Sequence, residues 1–267
     1  MRRRFGQALR IGVGRHGLAL LKTSRWFGAP ATPLAEHLFV GGGTLDAAAI
    51  GLGLRQLLAQ NGHSGWPLSF VLSDELVRLW HVTPPPGSTR LADLEAGAAL
   101  RFQKLYGESP AAWQLSASWD AGQPFLAAGV PRALLAVLEQ VAVEQQLQVV
   151  EIVPQFVAGW NQWRGALKAG AWYGLLQGGV LTLGVTDKGR LLAVRAAAVP
   201  RDAGPEWLGE HLAREALRLN RPLPERLQVS GPLPQGWHGQ SNCTPLELVS
   251  SQSWSCLARL AATGVRT

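Results

Sequence analysis

The same arrangement of extended segments around a glycine turn occurs twice in this sequence, and it limits the possible folds more than any other feature. The first copy is LRIGVGRHGLALLKTS, and the second, after residue 170, is WYGLLQGGVLTLGVT. Asp187-Lys188-Gly189 then predicts a hairpin whose returning strand is RLLAVRAAAV. Because helical and extended patterns alternate after each copy, the sequence predicts an α/β protein with two related halves, each a five-stranded mixed sheet flanked by helices.

Apolar residues between these segments recur at helical spacing. A helix predicted over 91–106 has on one face Leu91, Leu94, Ala98, Phe102 and Leu105. Other helices are predicted after Thr44, after Pro131, over about 206–220 and close to the C-terminus. The segment LQVVEIVP is almost continuously apolar, as expected for a strand that is covered on both faces of a sheet.

The chain has a formal net charge of +7 and a pI near 10.2, which raises nucleic acid or an anionic membrane as a partner. Its positive charges are scattered, and the dense basic run is confined to Arg2-Arg3-Arg4 with Arg10. We therefore expect no nucleic-acid partner and favour a basic face or tail near anionic lipid. Charged residues make up 16% of the chain, which indicates a rather apolar surface that suits standing protein partners.

Several features favour a cytoplasmic location. Arg10 and Arg15 interrupt the first apolar run, so that no signal peptide is predicted. No uninterrupted apolar run reaches the ~18 residues that a membrane-spanning helix needs. Cys243 and Cys256 are typical of ordinary apolar thiols in a reducing compartment.

Two short motifs in the sequence are similar to known catalytic or cofactor-binding motifs. Gly12 to Gly17 matches GxGxxG after a strand, but a dinucleotide site needs a helix to begin at that loop, and a short extended run follows instead. A glycine-rich hairpin is the better interpretation. Ser64 lies in a GHSGW sequence between a helix and a strand, the reverse of the order that a nucleophile elbow requires. The six histidines are dispersed, so no metal site is predicted.

The order of elements from 9 to 235 resembles the actin-like ATPase superfamily, and within it the PilM/MshI and GspL-type pilus and secretion assembly proteins. Four stretches carry the resemblance: LRIGVGRHGLALLK, SFVLSDELVRLWHVTPPPG with ALRFQKLYGES, PFLAAGVPRALLAVLEQVAVEQQLQVVEIVPQ, and LLQGGVLTLGVTDKGRLLAVRAA. The resemblance implies a two-lobed, duplicated RNase H-like fold around a cleft. It implies a first lobe over 1–154 with a small α/β insert at about 76–125, and a second lobe over 155–267.

The nucleotide motifs of that superfamily are degenerate here. Gly12 and Leu176 stand where the family has its two metal-holding aspartates, while Gly14 and Gly178 keep the accompanying glycines. Of the adenosine-contacting glycine pair, Gly231 remains. A Mg-nucleotide would lack carboxylate ligands, so we expect neither a cofactor nor an enzyme.

The resemblance also implies the partners. Members of this branch bind the short cytoplasmic tail of a membrane-anchored, PilN-type protein and link the pilus platform to its motor ATPase, which predicts a cytoplasmic protein peripheral to the inner membrane. The sequence-based candidates for partner binding are Trp80, Trp113 and Trp119 in the insert, although tryptophans in a small insert are as often its own core. Two alternatives stay open: an active kinase or ATPase of the same superfamily, and a nucleic-acid-binding scaffold.

Overall fold

A computed structural model describes residues 6–24, 30–39, 46–59, 63–246 and 253–265. The chain divides into two compact units. Unit 1 comprises Met1–Ala158 together with Ser253–Thr267, and unit 2 comprises Gly159–Gln252. Within the described ranges, no helix is long and apolar enough to cross a membrane.

Unit 1 is built around a five-stranded mixed sheet. Its strands are β1 (Gln7–Gly14), β2 (Gly17–Ser24), β3 (Thr32–Leu38), β4 (Pro67–Leu72) and β8 (Gln148–Pro154), in the spatial order β3-β2-β1-β4-β8. The first two form the hairpin that the glycine-rich loop predicts, with Gly14 opposite Gly17. Helices α1 (Ala47–Ala59) and α3 (Arg132–Glu144) cover one face, where Leu9, Ile11 and Val13 enter the main core.

An insert on unit 1 forms a sheet of its own, and we use the word insert for residues 78–131. It contains β5 (Arg78–Val82), α2 (Leu91–Tyr106), β6 (Trp113–Ala117) and β7 (Phe125–Pro131), with the strand order β5-β7-β6. Helix α2 contributes Leu94, Ala98 and Phe102 to the core of the insert. Leu91 and Leu105, which were predicted on the same buried face, are exposed because they lie at the two ends of the helix.

Unit 2 contains the second five-stranded sheet. Its strands are β9 (Ala171–Gln177), β10 (Val180–Asp187), β11 (Arg190–Ala198), β12 (Arg226–Ser230) and β13 (Cys243–Pro245), in the order β11-β10-β9-β12-β13. Lys188 and Gly189 have φ values of 49° and 77°, which closes the predicted β10–β11 hairpin with two left-handed residues. Helix α5 (Pro205–Arg218) packs Leu208, Leu212 and Ala216 into this core. The prediction of two five-stranded mixed sheets is confirmed.

The C-terminal helix corrects the predicted domain boundary. Residues 155–267 were predicted as one lobe, but α6 (Cys256–Ala262) packs on the sheet of unit 1, against Ala19 and Leu21 of β2. The other boundary falls inside α4 (Gln155–Trp163), four residues after the predicted position. The long return of the chain to its first sheet has no local sequence signal, which is why the prediction missed it.

A buried arginine fixes α6 to the sheet. Arg10 on β1 donates from Nε to the Ala261 carbonyl at 2.9 Å and from Nη2 to the Thr263 carbonyl, both at the C-terminal end of α6. Its Nη1 lies 3.4 Å from Glu151 on β8. Burial lowers the pKa of Arg10, and the Glu151 carboxylate opposes that effect by favouring the charged form. The guanidinium thus satisfies carbonyls that a helix end leaves without partners.

We expect Arg10→Ala to lower the free energy of unfolding by about 2–4 kcal/mol, because a buried carbonyl and a partly buried one lose their donor. Urea unfolding followed by circular dichroism measures the change. Arg101→Ala, on the exposed side of α2, is the matched control and should change stability by less than about 0.5 kcal/mol. Equal stability of the two variants would show that Arg10 does not hold α6 in place.

Candidate functional site

The first glycine of the predicted nucleotide site lies in a packed position in unit 1. Residues of β1 alternate between the main core and the opposite face, and Gly12 falls on the face that α6 covers. A Cβ atom added to Gly12 would lie 2.7 Å from the Ala261 nitrogen and 3.0 Å from its Cα. A Cβ at Gly14 would lie 3.1 Å from Leu257 on the same helix. Gly12 is therefore needed for the close approach of the α6 backbone, independently of any phosphate, and Gly14 packs tightly against leucine side chains of the same helix.

The second group of predicted site residues lies in unit 2. Leu176, near the end of β9, is buried in the core of that unit. Gly178 has a φ of 59° and forms the β9–β10 turn with Gly179, and nothing surrounds its Cβ position. Gly231 follows β12 with a φ of 103°, and a side chain there would overlap the Leu176 carbonyl. The structure thus brings Leu176 and Gly231 together, at a point where β12 runs beside β9.

The carboxylates that a metal site would need are not gathered among the described residues of either unit. Among the described residues, no group of three or more His, Cys, Asp or Glu side chains could hold a metal ion. Asp74, next to Glu75 in the sequence, accepts a 3.0 Å hydrogen bond from the Phe156 backbone nitrogen at the start of α4. Its carboxylate therefore satisfies a free N–H at the helix N-terminus.

The tryptophans proposed for partner binding are mostly core residues of the insert. Trp80 and Trp113 are only 2% and 7% exposed, and each ring packs against Phe102 of α2 at a centroid distance of 5.2–5.3 Å. Trp119 is half-buried against Phe125. The prediction of Trp80 and Trp113 as a contact surface is wrong, because an insert of this size needs its large aromatic side chains to fill its own interior.

Comparison with known proteins identifies the fold. No protein-family model matches the chain, and no curated protein matches it in sequence. A structure of the PilM–PilN type IV pilus biogenesis complex superposes with a TM-score of 0.66 at 15% identity, covering 97% of this chain and 99% of that chain. A Bacteroides thetaiotaomicron protein of unknown function, described as having an actin-like ATPase fold, superposes with a TM-score of 0.62 at 11% identity over 86% and 84% of the two chains. This chain has the actin-like ATPase fold.

A third structure extends the comparison to secretion proteins. The cytoplasmic domain of EpsL, an inner-membrane component of the type II secretion system of Vibrio cholerae, superposes with a TM-score of 0.60 at 15% identity over 96% of this chain and 95% of that chain. The predicted actin-like fold and the structural resemblance to pilus and secretion components are confirmed. The two residues that the sequence predicts at the aspartate positions, Gly12 and Leu176, are thus a glycine packed under α6 and a leucine buried in a core.

Sequence reasoning did not find one surface of the chain, the edge of β6 that pairs with no further strand among the described residues. Beyond the strand, the Ser118 nitrogen donates to the Leu126 carbonyl, which makes these two residues a hydrogen-bonded pair of the antiparallel ladder. Hydrogen-bonded and non-hydrogen-bonded pairs alternate, so Leu115 and Ala117, opposite Gly129 and Ala127, belong to the second kind. Their N–H and C=O groups point away from β7, toward the open side of the sheet.

The opposite edge of the insert, β5, is partly occupied. By the same alternation, Leu79 and His81 direct their backbone groups outward, and the Tyr106 hydroxyl donates to the Leu79 carbonyl at 2.9 Å. Burial lowers the pKa of His81 to about 4, so this side chain is neutral near pH 7. The two edges of the insert therefore differ. On β5, the Leu79 carbonyl already accepts a hydrogen bond from Tyr106 of α2. On β6, the backbone N–H and C=O groups of Leu115 and Ala117 point outward.

We expect Gly12→Ala to lower the melting temperature, with a loss of about 1–3 kcal/mol, because the added methyl group overlaps the backbone of α6. Scanning calorimetry measures the effect. Gly209→Ala is the control: it lies in α5 with nothing near its Cβ position, and it should stabilise by about 0.5–1 kcal/mol through helix propensity. An unchanged melting temperature for Gly12→Ala would contradict the packing role assigned to Gly12.

Proposed function

We propose that this chain is a non-catalytic assembly component of a type IV pilus or related secretion platform at the inner membrane. It binds the cytoplasmic tail of a membrane-anchored, PilN-like protein and stands between that protein and the motor ATPase. The observation that carries the proposal is the superposition of almost all of this chain on one chain of the PilM–PilN structure and on the EpsL cytoplasmic domain.

The absence of catalysis is supported by what occupies the two aspartate positions. Magnesium binds through carboxylates and through waters held by them, and an ATP-hydrolysing site needs such ligands beside the phosphates. At position 12, even a methyl group meets the backbone of α6, so that a carboxylate there would require the helix to move. At position 176, the side chain is leucine in an apolar core. Both changes remove metal ligands, and the first also removes the room for one.

We expect Mg-ATP to produce no binding heat in isothermal titration calorimetry at physiological nucleotide concentrations. The physical reason is the loss of both metal-holding carboxylates, at Gly12 and Leu176. An ATP-hydrolysing protein of the same fold, titrated in parallel, serves as the positive control. A micromolar dissociation constant for this chain would overturn the non-catalytic assignment and favour the kinase or ATPase alternative.

The sheet edges favour one mode of partner binding, in which the partner tail adds to the insert sheet as a further strand beside β6. An extended peptide can join an open sheet edge through main-chain hydrogen bonds. The long edge strands of both five-stranded sheets carry a β-bulge, at Leu34 in β3, Val150 in β8 and Leu192 in β11, and bulges discourage edge pairing. Strand β13 has three residues and ends in Pro245.

Strand β6 differs from those edges in regularity. All five of its residues pair with β7 in one unbroken register. Its outward groups at Leu115 and Ala117 are spaced as a further antiparallel strand requires. The Leu115 carbonyl accepts a long 3.4 Å bond from the amide of its exposed neighbour Gln114, which an incoming strand can displace. We therefore assign the docking of the partner tail to the β6 edge, in place of the buried tryptophans.

We expect Ala117→Pro to weaken tail binding at least tenfold, because proline removes one outward N–H that the incoming strand needs. The β6–β7 ladder does not use that N–H, so the fold should survive. The measurement is fluorescence anisotropy with a labelled peptide that reproduces the cytoplasmic tail of a PilN-like protein from the same genome. Ala117→Val is the matched control: it keeps the N–H and should bind like the natural chain.

Two other outcomes of this binding measurement would contradict the docking site or the function. Equal binding by the proline and valine variants would show that the tail docks elsewhere, while the assembly function would stand. No binding of the peptide by the natural chain would remove the support for a PilN-like partner and with it the proposed function.

A further inference from the structure

A cavity of about 480 Å³ lies entirely within unit 2, at the end of its sheet where the β10–β11 hairpin turns. It is bounded by the segment after α4, the start of β9, the hairpin tip and the segment between α5 and β12. Neither the nucleotide motifs nor the proposed β6 edge involves any of these residues. The charged side chains that line it are Arg164, Lys168, Asp187, Lys188, Arg221 and Glu225.

The lining carries an excess of positive charge. Four cations face two carboxylates, and one of these carboxylates, Asp187, is already bound to Arg221 at 2.9 Å. Within the described part of the chain, the side chains of Arg164, Lys168 and Lys188 have no carboxylate partner within 4.0 Å. These three side chains belong to exposed residues. The cavity mouth is therefore a cationic surface whose charges are available to an anion.

An exposed apolar side chain, Leu223, lies beside these cations. Leu223 lies between Pro222 and Pro224, lines the same cavity, and is 58% exposed. The flanking prolines restrict the backbone, so that the leucine is presented from a stiff segment. The Arg221–Asp187 ion pair joins this segment to the hairpin that carries Lys188. An exposed apolar side chain ringed by basic residues is the arrangement with which peripheral proteins dock on anionic bilayers.

We propose that this surface of unit 2, formed by Arg164, Lys168, Lys188, Arg221 and Leu223, binds a bilayer that contains anionic phospholipid. The cations attract the negative surface, and Leu223 enters the interface between headgroups and acyl chains. The charge complementarity favours lipid over an uncharged partner, and the exposed leucine favours a bilayer over a free anion. This contact is separate from the capture of a PilN-like tail by unit 1, and either can fail without the other.

The test is co-sedimentation of the full chain with vesicles of phosphatidylcholine alone or mixed with phosphatidylglycerol. We expect binding to the mixed vesicles alone, weakening as salt screens the charges. The double variant Lys168→Gln/Lys188→Gln should bind roughly 30-fold more weakly, given the usual contribution of each basic residue near such a surface. Leu223→Ser should also weaken binding while leaving the salt dependence in place.

Matched controls come from α2 of the insert. Arg101→Gln/Lys104→Gln removes the same net charge from exposed positions, and Leu100→Ser replaces a leucine that is 69% exposed. Both should bind the mixed vesicles like the natural chain, and all variants should melt at the same temperature.

Three results would overturn the proposal: no binding of the natural chain to mixed vesicles at low salt, an equal loss in the Arg101/Lys104 control, or unchanged binding of the Lys168/Lys188 variant. Binding of poly-glutamate in place of vesicles would likewise reassign the cavity to an acidic polypeptide.

Discussion

The attachment of α6 to β1 through Arg10 is the interaction on which the arrangement of unit 1 depends. Without a helix on that face, Arg10, Gly12 and Gly14 of β1 would all be open to solvent. With it, the guanidinium satisfies the Ala261 and Thr263 carbonyls, and the glycines provide the space that the helix backbone occupies. A single contact between residues 251 positions apart therefore explains both the buried charge and the glycines.

This packing also gives a physical meaning to the degenerate nucleotide motif. The loss of an aspartate by itself removes a ligand and leaves the space for one. Here the space at Gly12 is taken by the Ala261 backbone, and this close approach lets α6 pack on the first sheet. Leu176 also has a packing role, because its side chain is buried in the apolar core of unit 2. Gly12 and Leu176, the two residues predicted at the aspartate positions, thus both contribute to packing in this chain.

The edge strands of the sheets decide which surface can accept an extended partner segment. Bulges at Leu34, Val150 and Leu192 interrupt the long edges, and Tyr106 caps an acceptor of β5, which leaves the regular β6 edge for an extended segment. In unit 2, Arg164, Lys168 and Lys188 line the same cavity as Leu223 and have no carboxylate partner among the described residues. Under the two proposals, the chain has two different binding surfaces, one suited to a peptide backbone and one to an anionic bilayer.

The sequence by itself determined the local elements and the fold class. Period-two apolar runs around glycine turns predicted the β1–β2 and β10–β11 hairpins, because strand alternation and left-handed turn residues depend on neighbours a few positions away. The tertiary structure decided the rest. That α6 returns to unit 1, that Trp80 and Trp113 fill the insert, and that Ala117 points its N–H outward depend on contacts between distant segments and on ladder register. No local pattern encodes such contacts, because they arise only when separate segments bury their apolar faces against one another.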